Sequence, residues 1–260
     1  MSSSWDPEQY HRFATERRQP FDDLAALVAP VPGGRVVDLG CGTGELTAEL
    51  HAHLAAAHTL GVDSSPAMLH QARARAGGGL AFRLADAVTW AEPRWDVVFA
   101  NASLQWVADH RRLLPRLRGL LAPGGQLAFQ VPANYDHPSH VVAAQVAAEE
   151  PFASELGADF GPGPAANVLD PVDYSMLVHD LGAVDQHIRL QVYGHRLESP
   201  DAVVEWMKGT ALTRFRRSLP PRSYQAFLTR YRDRLVEHTG DGDPYFYPFK
   251  RILVWARFSR

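Results

Sequence analysis

Short apolar runs alternate with segments of helical periodicity over the first half of the chain. The predicted strands cover residues 36–39, 59–62, 80–84, 96–100 and 126–131, and the predicted helices cover 45–53, 66–76 and 111–121. Strands that alternate with helices are typical of a parallel sheet with helices on both faces. The pattern therefore predicts an α/β fold.

The two ends of the chain depart from this alternation. Residues 6–27 predict two short helices separated by Pro20, and residues 199–238 predict two or three helices without strands between them. Extended segments at 184–193 and 252–258 are expected to complete the sheet, with the last strand antiparallel at or near its edge. We expect one domain over residues 1–260, with a core of about 28–135, 172–198 and 247–260 and a helical lid inserted at about 199–246.

Composition narrows the classes of protein to consider. The 260 residues carry a net charge of -3 with no long basic run, which disfavours nucleic acid as a partner. No apolar stretch approaches the roughly 20 residues of a membrane helix, and there is no signal sequence, so a cytoplasmic protein without a membrane partner is expected. The single cysteine, Cys41, cannot form an internal disulfide and has no second cysteine to share a metal, so no structural metal site is expected.

The most informative segment is Asp38-Leu39-Gly40-Cys41-Gly42-Thr43-Gly44, where a predicted strand ends and a helix begins. Its third glycine comes one residue too early for the G-x-G-x-x-G pattern of dinucleotide sites. An acidic residue before the loop repels a phosphate but suits a ligand that carries an ammonium and a sulfonium group. The spacing therefore favours S-adenosylmethionine over NAD.

Two further acids follow the next predicted strands. Asp63 lies 23 residues after Gly40, a position from which a carboxylate can accept hydrogen bonds from ribose hydroxyls. Asp86 is placed either to accept from an adenine amino group or to cap a helix, and the sequence leaves both readings open.

The motifs DLGCGTG, GVDSSPAML, LADA, FANASLQWV and LAPGGQLAFQVP occur in this order, and residues 36–132 resemble class I S-adenosylmethionine-dependent methyltransferases. The resemblance implies a Rossmann-like sheet of seven strands, mostly parallel, with helices on both faces and the last strand antiparallel. It implies a cofactor site formed by Arg18, Asp38, Gly40, Gly42, Gly44, Asp63, Ser64, Met68, Asp86, Ala87, Asn101 and Ala102. In this reading the three glycines line the methionine end, and Asn101 and Ala102 lie near the methyl group.

A second set of motifs, WDPEQYHRFATERRQPF, NASLQW, QVPANYDHPSH and YPFKR, extends the resemblance over most of the chain. Together they resemble methyltransferases that esterify one carboxylate of trans-aconitate, a small tricarboxylic acid, to give the monomethyl ester and S-adenosylhomocysteine. The resemblance implies a substrate site drawn from Tyr10, Trp106, Asn134, His140, His195, Trp206, Tyr247, Lys250 and Arg251.

The chemistry of this acceptor affects which residues to expect. A carboxylate is already anionic at neutral pH and needs no general base, so we expect no catalytic triad. Lys250 and Arg251 are expected to orient the acceptor, although a solvated pair before an edge strand is an open alternative. A different methyl acceptor, a nicotinamide-dependent oxidoreductase and a non-catalytic binding protein are the competing interpretations, and the oligomeric state stays open.

Overall fold

The computed structural model describes residues 14–161, 163–240, 242 and 244–259. Its central feature is one mixed sheet with the strand order β3-β2-β1-β4-β5-β7-β6. The strands are β1 Arg35–Leu39, β2 His58–Asp63, β3 Leu80–Leu84, β4 Trp95–Asn101, β5 Leu121–Pro132, β6 Ala183–Leu197 and β7 Tyr245–Phe258. The first five pair in parallel, whereas β7 lies between β5 and β6 and is antiparallel to both. The predicted Rossmann-like sheet with an antiparallel last strand is confirmed.

Helices cover both faces of the sheet. They are α1 Ala14–Ala25, α2 Glu45–His53, α3 Pro66–Ala72, α4 His110–Leu120, α5 Pro138–Ala147, α6 Phe152–Leu156, α7 Pro171–Asp180, α8 Pro200–Lys208, α9 Thr213–Ser218 and α10 Pro221–Thr239. In the part of the chain that the structure describes, no helix is both long and apolar enough to cross a membrane.

The predicted break at Pro20 is wrong, because α1 runs through it. A proline removes one hydrogen-bond donor from a helix, but its fixed φ is compatible with helical geometry. Phe21 and Leu24 are buried on the core side of this helix, and the ring of Phe21 meets Phe99 edge-on at 5.8 Å. Burial of this face stabilises the helix despite the lost bond.

The predicted ends of the last two strands are also wrong. Strand β6 continues past residue 193 and β7 begins before residue 252, so that His195 pairs with Tyr247 and Leu197 pairs with Tyr245. Residues 245–251 thus lie inside a strand instead of preceding one. The sequence does not indicate this part of β7, because its apolar and polar residues alternate only loosely. Residues 245–251 pack on helices that are distant in sequence, and these contacts decide that the segment is extended.

Two large apolar clusters organise the interior. One lies against the sheet and includes Trp95, Phe129 and Tyr174. The other joins α5 and α6 to α8, α9 and α10, with Trp206 and Phe227 near its centre. We call the five helices of this second cluster the helical layer. It packs on Leu197, Tyr247 and Phe249, at the ends of the strands where the site lies.

Candidate active site

A large pocket opens at the carboxyl ends of β1, β2 and β4, where the strand order reverses on either side of β1. Ligands of open α/β sheets bind at such a position. We call it the cofactor pocket, and it encloses about 1380 Å³, part of which is open to solvent. It is lined by Gly40, Gly42, Val62, Asp63, Ser64, Ser65, Met68, Asp86, Ala87, Val88, Asn101, Ala102, Ser103, Trp106, Val107, Thr213 and Arg217. Nine of the residues predicted for the cofactor are in this set.

The three glycines of the loop have different surroundings. A Cβ on Gly40 would lie 2.2 Å from the Cβ of Ser103, so this position permits close packing. A Cβ on Gly42 would meet nothing within 4 Å and would project into the open pocket. Gly44, at φ 73°, precedes α2, and a Cβ there would lie 2.6 Å from the ring of Phe82. Gly44 therefore packs α2 against the sheet and does not line the pocket.

Asp63 is one of two acids that line the pocket, together with Asp86. Its carboxylate accepts hydrogen bonds from the backbone N–H of Gly42 at 2.9 Å and of Ser65 at 2.8 Å. Burial raises the pKa of Asp63, and these backbone donors act in the opposite direction. The loop and the end of β2 are thus held together around a carboxylate that lines the site.

Asp38 lies beneath the loop and does not line the pocket. Its Oδ2 accepts a hydrogen bond from the hydroxyl of Thr47 at 2.6 Å, and Oδ1 is buried without a hydrogen-bond partner. Burial raises the pKa of Asp38 to about 7, against the lowering effect of Thr47. The neighbouring thiol of Cys41 is buried, which raises its pKa and keeps it protonated.

Asp86 lines the cofactor pocket and also caps a turn, so the helix that the cap reading predicted is not formed here. Its Oδ1 accepts from the N–H of Val88 at 2.7 Å, which caps the turn that follows β3. At the end of β4, Ala102 adopts a positive φ of 54°. Such a conformation is strained for an alanine, and strain of this kind concentrates at functional sites.

A second pocket lies beside the first and shares Asn101, Ala102 and Trp106 with it. We call it the acceptor pocket. It encloses about 680 Å³ and is also lined by Gln105, Gln130, Pro132, Tyr135, His140, Pro164, Trp206, Thr210, Ala211, Phe249 and Arg251. Residues of the sheet form one side and residues of the helical layer form the other.

Arg251 supplies positive charge to the acceptor pocket. Its residue surface is only 6% exposed, and its guanidinium lies 4.9 Å from the ring centre of Phe249. Nη1 donates to Oε1 of Gln130 at 3.0 Å. An arginine held in this way is suited to bind a carboxylate in a fixed orientation.

Aromatic and imidazole rings form the remaining wall of the pocket. Tyr135 meets His140 edge-on at 5.4 Å, and Trp206 contacts Phe249 at 5.5 Å. Burial lowers the pKa of His140 to about 4, so that its ring is neutral at pH 7. The pocket thus combines a cation, a neutral imidazole and apolar surfaces.

Several predicted residues lie outside both pockets. Arg18 pairs with Glu49 and Asp22 on the outer surface. Neighbouring side chains of a strand point to opposite faces, so Lys250 points away from the pocket that Arg251 lines, and it pairs with Asp136. Tyr10 lies outside the described residues.

Asn134, His195 and Tyr247 are buried behind the wall of the acceptor pocket. The Oδ1 of Asn134 accepts from the backbone N–H of Lys250 at 3.1 Å, which ties the loop after β5 to β7. The Tyr247 hydroxyl lies 3.1 Å from Oγ of Ser139, and His195 packs against Trp206 at 5.1 Å. These side chains support the residues that line the pocket.

Other lining residues were not predicted from the sequence. Those with polar or aromatic side chains include Gln105, Gln130, Tyr135, Thr210 and Phe249 in the acceptor pocket, and Thr213 and Arg217 in the cofactor pocket. Gln130 carries a usable signal, since a polar residue within an otherwise buried strand requires hydrogen-bond partners. The residues of α9 carry none, because only the packing of the helical layer brings them to the site.

Known proteins resemble this chain in sequence and in fold. Residues 36–125 match the family model described as a methyltransferase domain. A trans-aconitate 2-methyltransferase from Deinococcus radiodurans is 43% identical over 97% of this chain and 98% of its own length. A relative with the same name from Methylobacterium radiotolerans is 41% identical over 98% of this chain and 98% of its own length. Another, from Streptomyces avermitilis, is 38% identical over 97% of this chain and 96% of its own length.

Solved structures share the fold at low sequence identity. The YcgJ protein from Bacillus subtilis has a TM-score of 0.61 at 12% identity, over 94% of this chain and 99% of its own. A phosphoethanolamine N-methyltransferase 2 of Haemonchus contortus, solved with S-adenosylhomocysteine, has a TM-score of 0.54 at 15% identity, over 95% of this chain and 53% of its own.

The sheet order, the glycine loop and the match to a methyltransferase domain define the class of this protein as an S-adenosylmethionine-dependent methyltransferase. The 43% sequence identity to a trans-aconitate 2-methyltransferase over nearly the whole chain then identifies one family within this class. The chain belongs to the trans-aconitate 2-methyltransferase family.

Proposed function

We propose that this protein transfers a methyl group from S-adenosylmethionine to one carboxylate of trans-aconitate, which yields the monomethyl ester and S-adenosylhomocysteine. The observation that carries the proposal is the acceptor pocket, in which buried Arg251 and a set of aromatic rings adjoin the cofactor pocket. A guanidinium binds a carboxylate well, and flat apolar surfaces suit an unsaturated carbon skeleton.

The residues of the cofactor pocket fit S-adenosylmethionine. Gly42 leaves open space beside the backbone, and Asp63 presents a half-buried carboxylate to accept hydrogen bonds from ribose hydroxyls. Asp86, Ala87 and Met68 would border the adenine, while Asn101 and Ala102 would lie toward the methyl group. When bound, the cofactor supplies an electrophilic methyl group on a positively charged sulfur.

The residues of the acceptor pocket bind and orient the acceptor, and they exclude water. The attacking carboxylate is already anionic, so no side chain has to remove a proton. Arg251 orients the acceptor by a carboxylate that does not react, because a cation on the attacking oxygen would reduce its nucleophilicity. His140 is neutral and can donate one hydrogen bond to the acceptor without adding charge.

The helical layer closes the site from the side opposite the sheet. A carboxylate and a sulfonium lose their opposite charges as the methyl group moves, and a dry environment favours such a transition state over the solvated ground state. Trp206, Thr210 and Ala211 supply this cover to the acceptor pocket, and Thr213 with Arg217 supplies it to the cofactor pocket. The lid predicted at 199–246 would act in this way.

A cytoplasmic location, the absence of a metal and the absence of nucleic acid or membrane partners stay predictions. Lys250 pairs with Asp136, so we propose that it positions β7 and that Arg251 alone of the two contacts the acceptor.

The test is methyl transfer from labelled S-adenosylmethionine to trans-aconitate, cis-aconitate, citrate and isocitrate. We expect base-labile label chiefly on trans-aconitate. Arg251→Met should raise KM for this acceptor roughly 10- to 100-fold, the range for loss of a hydrogen bond to a charged group, whereas the neighbouring Lys250→Met should have a much smaller effect. Binding of S-adenosylhomocysteine without label on any of these acids would overturn the proposed acceptor and leave the methyltransferase class intact.

A further inference from the structure

A chain of hydrogen bonds connects the acceptor pocket to the boundary with the cofactor pocket. Gln130 lies at its centre and is only 1% exposed. Its Oε1 accepts from Arg251 at 3.0 Å, and its Nε2 donates to Oδ1 of Asn101 at 2.6 Å. Arg251 lines the acceptor pocket, while Asn101 lines both pockets.

The sheet places these three side chains together. In the parallel pair of β4 and β5, Asn101 is the direct partner of Gln130. In the antiparallel pair of β5 and β7, Arg251 pairs with Pro132, two residues beyond Gln130, and is therefore a diagonal neighbour on the same face. The chain of hydrogen bonds thus follows from strand register and not from a mobile loop.

The chemistry of arginine fixes the direction of every bond in this chain. A guanidinium only donates, so Gln130 must turn its oxygen toward Arg251. Its NH₂ group then faces Asn101, which must in turn present its own oxygen. The amide of Asn101 is therefore oriented, with its NH₂ group directed away from Gln130.

We propose that Gln130 is a positioning residue, which orients Asn101 and Arg251 so that both present N–H donors to the carboxylates of the acceptor. This inference rests on the proposed function and specifies how the acceptor is held. Gln130 is suited to this task because a neutral amide orients Arg251 without adding a negative charge beside it. A carboxylate at this position would compete with the acceptor for the guanidinium.

The test compares two buried glutamines of β5. Gln126 is also buried and hydrogen-bonded, to Ala29 and Trp255, but lines neither pocket. Gln130→Glu and Gln126→Glu each place a carboxyl group in the same strand, so the second controls for the general effect of burying an acid. Gln130→Met removes both hydrogen bonds without adding charge and provides a second variant if the first does not fold.

Equilibrium binding of trans-aconitate to the enzyme saturated with S-adenosylhomocysteine is measured by calorimetry, beside the methyl-transfer kinetics. We expect Gln130→Glu to weaken trans-aconitate binding roughly 10- to 100-fold and Gln130→Met to weaken it less, since Arg251 keeps its charge. Binding of S-adenosylhomocysteine should change little in either variant. Gln126→Glu should bind trans-aconitate as the wild type does.

The outcomes separate the two proposals. Wild-type binding and methylation of trans-aconitate, with both Gln130 variants matching Gln126→Glu, would overturn the positioning role and leave the proposed function standing. Wild-type protein that binds S-adenosylhomocysteine but neither binds nor methylates trans-aconitate would overturn the proposed function and this inference with it. Equal weakening of trans-aconitate and S-adenosylhomocysteine binding would indicate a merely structural role for Gln130.

Discussion

At the scale of single residues, glycines of one loop serve different purposes. Gly40 has no room for a side chain because Ser103 packs against it, whereas Gly42 faces open space in the cofactor pocket. Both adopt a positive φ, so an alanine at either position is strained by about 1 to 2 kcal/mol. Only at Gly40 does steric overlap add to this strain.

This contrast predicts different results for two matched substitutions. Gly40→Ala should lower the free energy of unfolding by about 2 to 5 kcal/mol, because overpacking typically costs a further 1 to 3 kcal/mol. Gly42→Ala should lower it by only about 1 to 2 kcal/mol but should weaken S-adenosylhomocysteine binding. Urea denaturation and calorimetry provide the two measurements, and equal losses of stability would contradict the prediction.

A buried acid predicts a pH dependence of stability. Asp38 has a folded-state pKa of about 7, above its ordinary value of 3.8. Between these values the folded state holds a proton that the unfolded state releases, so stability falls as pH rises through this window. Wild type should therefore lose stability relative to Asp38→Asn between about pH 4 and 8. Denaturation curves at several pH values measure the difference in the free energy of unfolding between the two proteins. A difference that does not change with pH would show that the pKa of Asp38 is not raised in the folded state.

At the scale of elements, α9 fastens a glycine- and proline-rich segment over the acceptor pocket. Arg214 donates to the carbonyl groups of Phe160 and Gly161, and its guanidinium lies 3.8 Å over the ring of Phe160. Further along, Asn167 donates to the carbonyl of Gln105 at 3.0 Å. Between these two attachments, Pro164 lines the pocket.

Arg214→Met should release this segment while α9 stays in place. We expect faster backbone amide exchange at 157–161 and 163–167, because the carbonyl contacts and the ring contact are lost together. The control is Arg216→Met, at an exposed position of the same helix. Hydrogen exchange measured by mass spectrometry tests this, and identical exchange in the two variants would show that Arg214 does not hold the segment.

At the scale of the whole molecule, the site lies between two separately packed layers. The sheet contributes Asn101 and Gln130, and the helical layer contributes Trp206 and Thr210. Neither layer alone encloses the acceptor pocket. A ligand that bridges both layers should therefore stabilise the complete fold.

S-adenosylhomocysteine at a hundred times its Kd should raise the free energy of unfolding by about 2.7 kcal/mol. The same concentration of NAD should have no such effect, because the loop lacks the glycine spacing for a pyrophosphate. Thermal unfolding with each ligand measures the difference. Comparable stabilisation by NAD would contradict the cofactor preference that the loop indicates.

The sequence by itself determined the alternation of strands and helices and the position of the loop from Asp38 to Gly44. These features are local, since periodicity and backbone conformation depend on near neighbours along the chain. It did not place the end of β6 or the start of β7, where packing against the helical layer decides which residues are extended.

Only the tertiary structure decided which polar residues meet in the acceptor pocket. Lys250 and Arg251 are adjacent in sequence, yet strand alternation directs one to Asp136 and the other into the pocket. Gln130 contacts Arg251 across 121 positions of the chain. Such a contact depends on the order and register of β4, β5 and β7, and these arise from the packing of the complete sheet and not from the local pattern of any one strand.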